Sequence, residues 1–303
     1  MKLKSKWPVR RFFAFLGALY LFCAVTPLLF AESGTAKSES VFRIYDTATE
    51  TVRTVNDLDF LCGALPCEMA VSAPDEALKA QIIAIHTLYD RKRRENTGKD
   101  FDFTCDSAEK SIYTVDAGLT DEEQNRVRAL CLSVLDKEIY FENEPINACY
   151  FAISAGCTQP FENVWPEKSY PYLTAVACPS DLLAQGFQSA TTFTEDEIRA
   201  DFPEISFDDA PGKWFSDIQY FDTGYVKKLT VCGVEMTGVH VRETLGLRSA
   251  SFTVTYENGA FTFTTLGYGH GVGMSQAAAI TLAEGGMTVD EILARFYPGT
   301  DIK

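Results

Sequence analysis

Basic charge is in short supply. The 303-residue chain carries 27 Lys and Arg against 42 Asp and Glu, a net charge of -15. Phosphate recognition rests on clustered lysine and arginine, so this balance argues against nucleic acid as a partner and against broad adhesion to anionic surfaces. Histidine is scarcer still, with three in the chain, and no two of the nine cysteines are spaced C-x-x-C. The usual zinc-ribbon and thioredoxin-like patterns are therefore missing. No internal repeat is present, and nothing after residue 40 is of low complexity. Charge is also nearly absent from one internal stretch. Between Phe60 and Ala73 the only charged residue is Glu68.

What is present fits a folded protein. At 46% hydrophobic and 23% charged residues, the chain can build one large domain or two modest ones with a sizeable core. It begins with a basic flank, Lys2 to Arg11, followed by an uncharged run from Phe12 to Ala31. About 20 uncharged residues suffice to cross a bilayer, and the basic flank stays on the cytoplasmic side. The run ends Leu29-Phe30-Ala31, with a bulky residue where a cleavage site prefers a small one. We read residues 1–38 as flank, retained single-pass anchor and tether, with a cleaved signal as the alternative, and residues 39–303 as the domain that follows. That domain is expected outside the cytoplasm, on the membrane or secreted. Cys23 lies in the apolar run. The other eight cysteines permit disulfides in 105 pairings, or remain free buried thiols where the surroundings are reducing.

Ser72 to Asn96 has the clearest helical pattern, with Leu78, Ile82, Ile85 and Tyr89 on one face. Ser72 is the expected cap, Asp75 and Glu76 suit the positive end, and Arg91 to Arg94 suit the negative end. His86, beside the apolar face, reads as a packed core histidine. Further helices are expected over 120–135, 194–202, 239–245, 275–284 and 288–297. Strands are expected over 41–55, in a hairpin within 138–158 whose return strand is 146–153, and over 214–266, with a hairpin turn at Asn258-Gly259. The fold class is α+β: helices on a mostly antiparallel sheet, in two lobes with a cleft.

Two stretches carry the chemistry. The first is Cys62-Gly63-Ala64-Leu65-Pro66-Cys67-Glu68-Met69-Ala70, read as an apolar loop. A lone carboxyl in apolar surroundings is harder to ionise, so its pKa rises. A proton donor working near neutral pH needs that environment. The second is Gly267-Tyr268-Gly269-His270-Gly271-Val272-Gly273-Met274-Ser275-Gln276. Its glycines allow strained turns and close approach to a ligand. The third glycine is out of step for a dinucleotide fingerprint and no βαβ unit follows, so that site is not expected.

Together these stretches resemble the stage II sporulation protein D family, which includes the amidase-enhancer proteins. The segment Phe60 to Gln81 resembles the family's Glu-Met-Pro block with its following Glu-Ala-Leu-Lys-Ala-Gln. Gly269 to Gln276 matches its signature, and Asn163-Val164-Trp165, Leu245 to Ser249 and Phe296 to Thr300 match in the same order. The resemblance implies a lytic transglycosylase of peptidoglycan glycan strands, acting in sporulation and engulfment, with Glu68 as its catalytic acid. Tyr268, His270, Ser275 and Gln276 are expected to hold sugar groups, with a structural loop histidine bonded to backbone as the alternative for His270. The implied partners are peptidoglycan itself, a cell-wall amidase like stage II sporulation protein P and a membrane protein like stage II sporulation protein M.

The chain departs from the family at several points. Phe151 stands where the family has a histidine, Glu109 and Lys110 replace a histidine and a cysteine, His86 replaces an arginine, and Ala70 replaces the proline after Glu-Met. Some members carry His and Cys near the hairpin in the manner of metal proteins. With Phe151 there, no zinc site and no cofactor are expected. Two other readings compete: a non-catalytic enhancer that binds and stimulates a cell-wall amidase, and a Cys-His hydrolase using Cys67 or Cys157 with His270.

Overall fold

The computed structural model describes residues 40–108 and 112–303. The flank, apolar run and tether of 1–38, and the departures at Glu109 and Lys110, lie outside the described residues. Among the described residues no helix is long and apolar enough to cross a membrane.

The chain enters as a hairpin, β1 (Val41–Asp46) against β2 (Thr51–Asn56), and β3 (Phe103–Cys105) pairs parallel to β1 on its other edge. Phe42, Ile44 and Asp46 alternate inward on β1. The buried Asp46 carboxylate accepts from the Ala48 and Ser107 backbone N–H groups, which closes the hairpin end.

The stretch around Glu68 is a helix and not the expected loop. Helix α1 spans Asp57–Glu68, so Glu68 is its last residue. Asn56 caps it by accepting from the Asp59 N–H at 2.8 Å, and Asp57 and Asp59 face the positive end. Gly63 and Pro66 both disfavour helix. Tertiary packing overrides them: Phe60, Leu61, Ala64 and Leu65 are almost wholly buried. A Cβ on Gly63 would lie 2.4 Å from the Thr114 carbonyl, so only glycine lets the 113–114 segment cross there.

Helix α2 (Asp75–Glu95) is the central strut. Its cap position is Pro74, without a side-chain hydrogen bond, rather than Ser72. The expected face of Leu78, Ile82, Ile85 and Tyr89 is buried, but so are Ala77, Ala80, Gln81, Ile83, Ala84 and His86. The helix is enclosed on nearly all sides by α1, α3 (Asp121–Ser133), α6 (Gln276–Glu284) and α7 (Val289–Phe296). His86 is indeed a core residue, with Nε2 3.5 Å from Asp57 and 3.6 Å from Glu138.

The expected hairpin after residue 138 forms only in part. β4 (Ile139–Phe141) turns through Glu142 and Asn143, both left-handed, into a two-residue β5 (Glu144–Pro145). The expected return strand is interrupted. Tyr150–Phe151 instead forms β6, which pairs parallel with β13 (Met274–Ser275). The terminal β14 (Asp301–Ile302) adds to β4.

A second hydrophobic core is separate from the first. It gathers Trp214, Phe252, Phe261 and Phe263 between two three-stranded sheets. These are β7 (Gln188–Thr194), β12 (Ala260–Leu266) and β11 (Phe252–Glu257), and β8 (Phe215–Tyr220), β9 (Val226–Val231) and β10 (Val234–Thr237). Short helices α4 (Glu195–Asp201) and α5 (Gly238–Thr244) belong to the same part of the chain. The α+β class therefore holds. Among the described residues its β component is five small sheets rather than one, and two of the strand pairings are parallel.

Candidate active site

Glu68 ends α1, and buried Met69 follows it as the cap. Its carboxyl is partly buried, and burial pushes its pKa above the usual carboxylate value. Two groups pull the other way: the phenol of Tyr150, hydrogen-bonded to the carboxyl, and the charge of Lys92. Desolvation outweighs both. The Tyr150 phenol is itself held well above its ordinary pKa by burial and by the Glu68 charge, so it stays protonated and donates. Lys92 lies on α2 with its ammonium 4.5 Å from the Tyr89 ring centre. Burial lowers its pKa, against the attraction of Cys149, Glu95 and Glu68.

The glycine-rich stretch reaches this site through β13. Pairing of Met274 with Tyr150 and Ser275 with Phe151 sets the phenol beside α1. The glycines are forced by crowding at left-handed turns. Gly273 has φ +79°, and a Cβ there would lie 2.0 Å from the Cys149 carbonyl; at Gly271 it would meet the Tyr225 hydroxyl at 2.5 Å.

Of the four residues expected to hold sugar, two are committed to the framework. Gln276 donates from Nε2 to the Glu68 backbone carbonyl at 3.0 Å and to Gln81 Oε1 at 3.3 Å. Ser275 is fully buried; its hydroxyl donates to Asp181 at 2.7 Å and accepts from Ala278 N–H as the cap of α6. These bonds hold the loop against α6. Tyr268 is exposed, with the Arg248 guanidinium 4.3 Å over its ring and its backbone paired to Ile153.

Among the described residues no hydrogen bond joins His270 to Glu68, but the two converge on one residue. The imidazole bonds to the Tyr150 backbone, while the Tyr150 phenol bonds to Glu68. Nδ1 of His270 accepts from the Val272 N–H at 3.1 Å, which leaves the ring proton on Nε2. The ring centre lies 5.6 Å from that of Phe151 and 5.2 Å from that of Trp165. Burial and the Arg242 charge lower its pKa to about 4. A neutral imidazole with Nδ1 occupied is a poor base for a cysteine nucleophile. Cys67 meanwhile donates to the Gly63 carbonyl at 3.4 Å.

Phe151 packs on His270. Among the described residues no group of three or more His, Cys, Asp or Glu is placed to hold a metal ion.

Sequence reasoning missed Tyr150, Tyr89 and Lys92. Tyr150 was hidden inside an expected return strand, and only its pairing with Met274, 124 positions later, gives it a role. Gln81 and Trp165 lay within the quoted motifs but carried no assigned function.

A family model described as "Stage II sporulation protein" matches residues 45–132. The chain is 31% identical over 271 residues to "Stage II sporulation protein D" of Bacillus amyloliquefaciens, covering 86% of this chain and 77% of that protein. It is 30% identical over 270 residues to the protein of the same name in Bacillus subtilis (strain 168), covering 86% and 78%. A more distant similarity, 25% over 294 residues, joins 80% of the chain to 40% of the "Amidase enhancer" of Bacillus subtilis (strain 168).

Proposed function

The chain belongs to the stage II sporulation protein D family, and from that membership and the Glu68 environment we propose that it is a lytic transglycosylase of denuded peptidoglycan strands. One observation carries this reading. Glu68 is a carboxyl whose surroundings favour the protonated form, and it stands where the two motif stretches meet.

The chemistry asks for one carboxyl used twice. Protonated Glu68 donates to the glycosidic oxygen between MurNAc and GlcNAc. The carboxylate then takes the proton of the MurNAc C6 hydroxyl. That oxygen closes on C1, and the strand ends in 1,6-anhydro-MurNAc with no water consumed. Hydrolytic glycosidases generally need a second carboxyl. The groups that favour the ionised Glu68 carboxyl are the Tyr150 phenol and the Lys92 ammonium. The Tyr150 phenol steadies the carboxylate formed in the first half, and Lys92 favours the same state. Exposed Tyr268 offers a ring on which a sugar can stack. The domain would work outside the cytoplasm from an N-terminal anchor, beside a cell-wall amidase that strips the stem peptides.

The test is digestion of denuded glycan strands by the full-length chain in mild detergent, with a Glu68→Gln variant alongside and products read by mass spectrometry. Anhydro-MurNAc ends from the unmodified chain alone are the expected result. Reducing ends would instead mean hydrolysis. The similarity to an amidase enhancer favours one other reading, a non-catalytic stimulator of an amidase. No cleavage by either folded protein, together with faster release of stem peptides from intact peptidoglycan by an amidase when this chain is added, would favour it.

A further inference from the structure

Away from Glu68, on the flank of α1, two thiols face each other. Cys62 lies in α1, six residues before Glu68, and Cys131 lies in α3. Their side chains hydrogen-bond to one another. The same pair of helices is tied by Arg128 and Asp59 at 3.1 Å. Cys131 has no exposed surface, whereas Cys62 is partly exposed. Cys62 opens onto a cavity of about 370 Å³ bounded by Asp59, Tyr113, Asp116 and Arg128. One thiol thus opens onto a small cavity, and its neighbour is fully buried.

We propose that Cys62 and Cys131 are a reactive thiol pair that exchanges with a small-molecule disulfide and closes into a cystine joining α1 to α3. Cys62 is the attacking group. The Cys131 hydrogen bond and the Arg128 charge make its thiol more acidic, against burial and Asp59. Cys131 is shifted the other way by the same contact and by burial, so it resolves rather than attacks. In the first step the Cys62 thiolate bonds to one sulfur of the small disulfide. The old S–S bond breaks and one thiolate leaves. That thiolate takes the Cys131 proton. The Cys131 thiolate then bonds to the Cys62 sulfur, the mixed S–S bond breaks, and the second small thiolate leaves and takes up the proton that Cys62 had released to solvent. Two protein thiols are oxidised and one small disulfide is reduced to two thiols. The cross-link fastens the helix that ends in Glu68, but the inference stands apart from the glycan-cleaving reading.

The experiment exposes the full-length chain to graded ratios of oxidised to reduced glutathione, then maps peptides by mass spectrometry without reduction. The expected product joins the Cys62 and Cys131 peptides with loss of two hydrogens. It raises the unfolding midpoint by roughly 5 °C, because the bond closes ~70 residues. In Cys131→Ala the reaction stops at a glutathione adduct on Cys62; in Cys62→Ala, Cys131 stays unmodified. The unmodified chain decides the matter even if a variant fails to fold. Cys62 and Cys131 both open to alkylation at every ratio, or a bond formed instead between Cys157 and Cys178, would overturn the assignment.

Discussion

The side-chain amide of Gln276 donates to the backbone carbonyl of Glu68 at 3.0 Å, across 208 positions of sequence. The bond fixes the end of α1 against the start of α6. Gln276→Ala leaves that carbonyl without its partner, a loss of about 1–2 kcal/mol in stability. Because the acid is then less well aimed, kcat for glycan cleavage is expected to fall about tenfold with KM little changed. A rise in KM at constant kcat would instead give Gln276 a direct contact with sugar.

Tyr150→Phe removes the hydrogen bond that favours ionised Glu68. The Glu68 pKa then rises further, so the alkaline limb of the pH–rate profile moves to higher pH. The profile of the variant checks this. A shift to lower pH would show that the phenol does not stabilise the carboxylate.

Glu68→Gln tests the cost of the site. The folded pKa of Glu68 lies above its unfolded value. As pH rises through that interval the unfolded chain ionises first and the folded protein loses stability, a penalty that persists at neutral pH. The Gln variant lacks the penalty. It is expected to match the parent below the ordinary carboxylate pKa and to melt higher than the parent at pH 7, as denaturation at two pH values will show.

His270 has the opposite sign. Its folded pKa of about 4 lies below the ordinary 6.5, so the folded state resists the proton that the unfolded chain accepts. Stability contributed by the neutral ring is complete above pH 6.5 and falls between 6.5 and 4, by on the order of 2–3 kcal/mol. In His270→Gln that part of the acid slope disappears, which urea titrations from pH 4 to 7 measure.

Gly273→Ala forces a side chain into a left-handed turn and against the Cys149 carbonyl. We expect a loss of at least about 3 kcal/mol. Gly224→Ala, equally left-handed but with nothing within 4 Å of its Cβ, should lose only the smaller conformational part. Equal losses in the two variants would mean that crowding is irrelevant.

Local chemistry was legible in the chain. Thr120, Thr194 and Thr288 each head a helix through a complete capping box, and Asn258-Gly259 makes its turn, because every participant lies within a few residues. The α1 helix was not legible. Its cap at Asn56 is ordinary, but Gly63 and Pro66 argue locally for a loop, and the buried surface that outweighs them comes from α2 and α3. The site divides the same way. Glu68 stood out as one acid in an apolar stretch. Tyr150 stands out only after β6 has found β13, and no periodicity in residues 146–153 announces a partner that far away.

That pairing has a consequence for the order in which the protein comes into being. The chain is made from its N-terminus, so Glu68 emerges long before Met274 and Gln276. Until those residues arrive, Tyr150 has no β13 beside it and the Glu68 carbonyl has no amide. On the proposed reading the acid is idle until those residues have emerged and folded back, and a chain cut short before residue 274 would lack both partners.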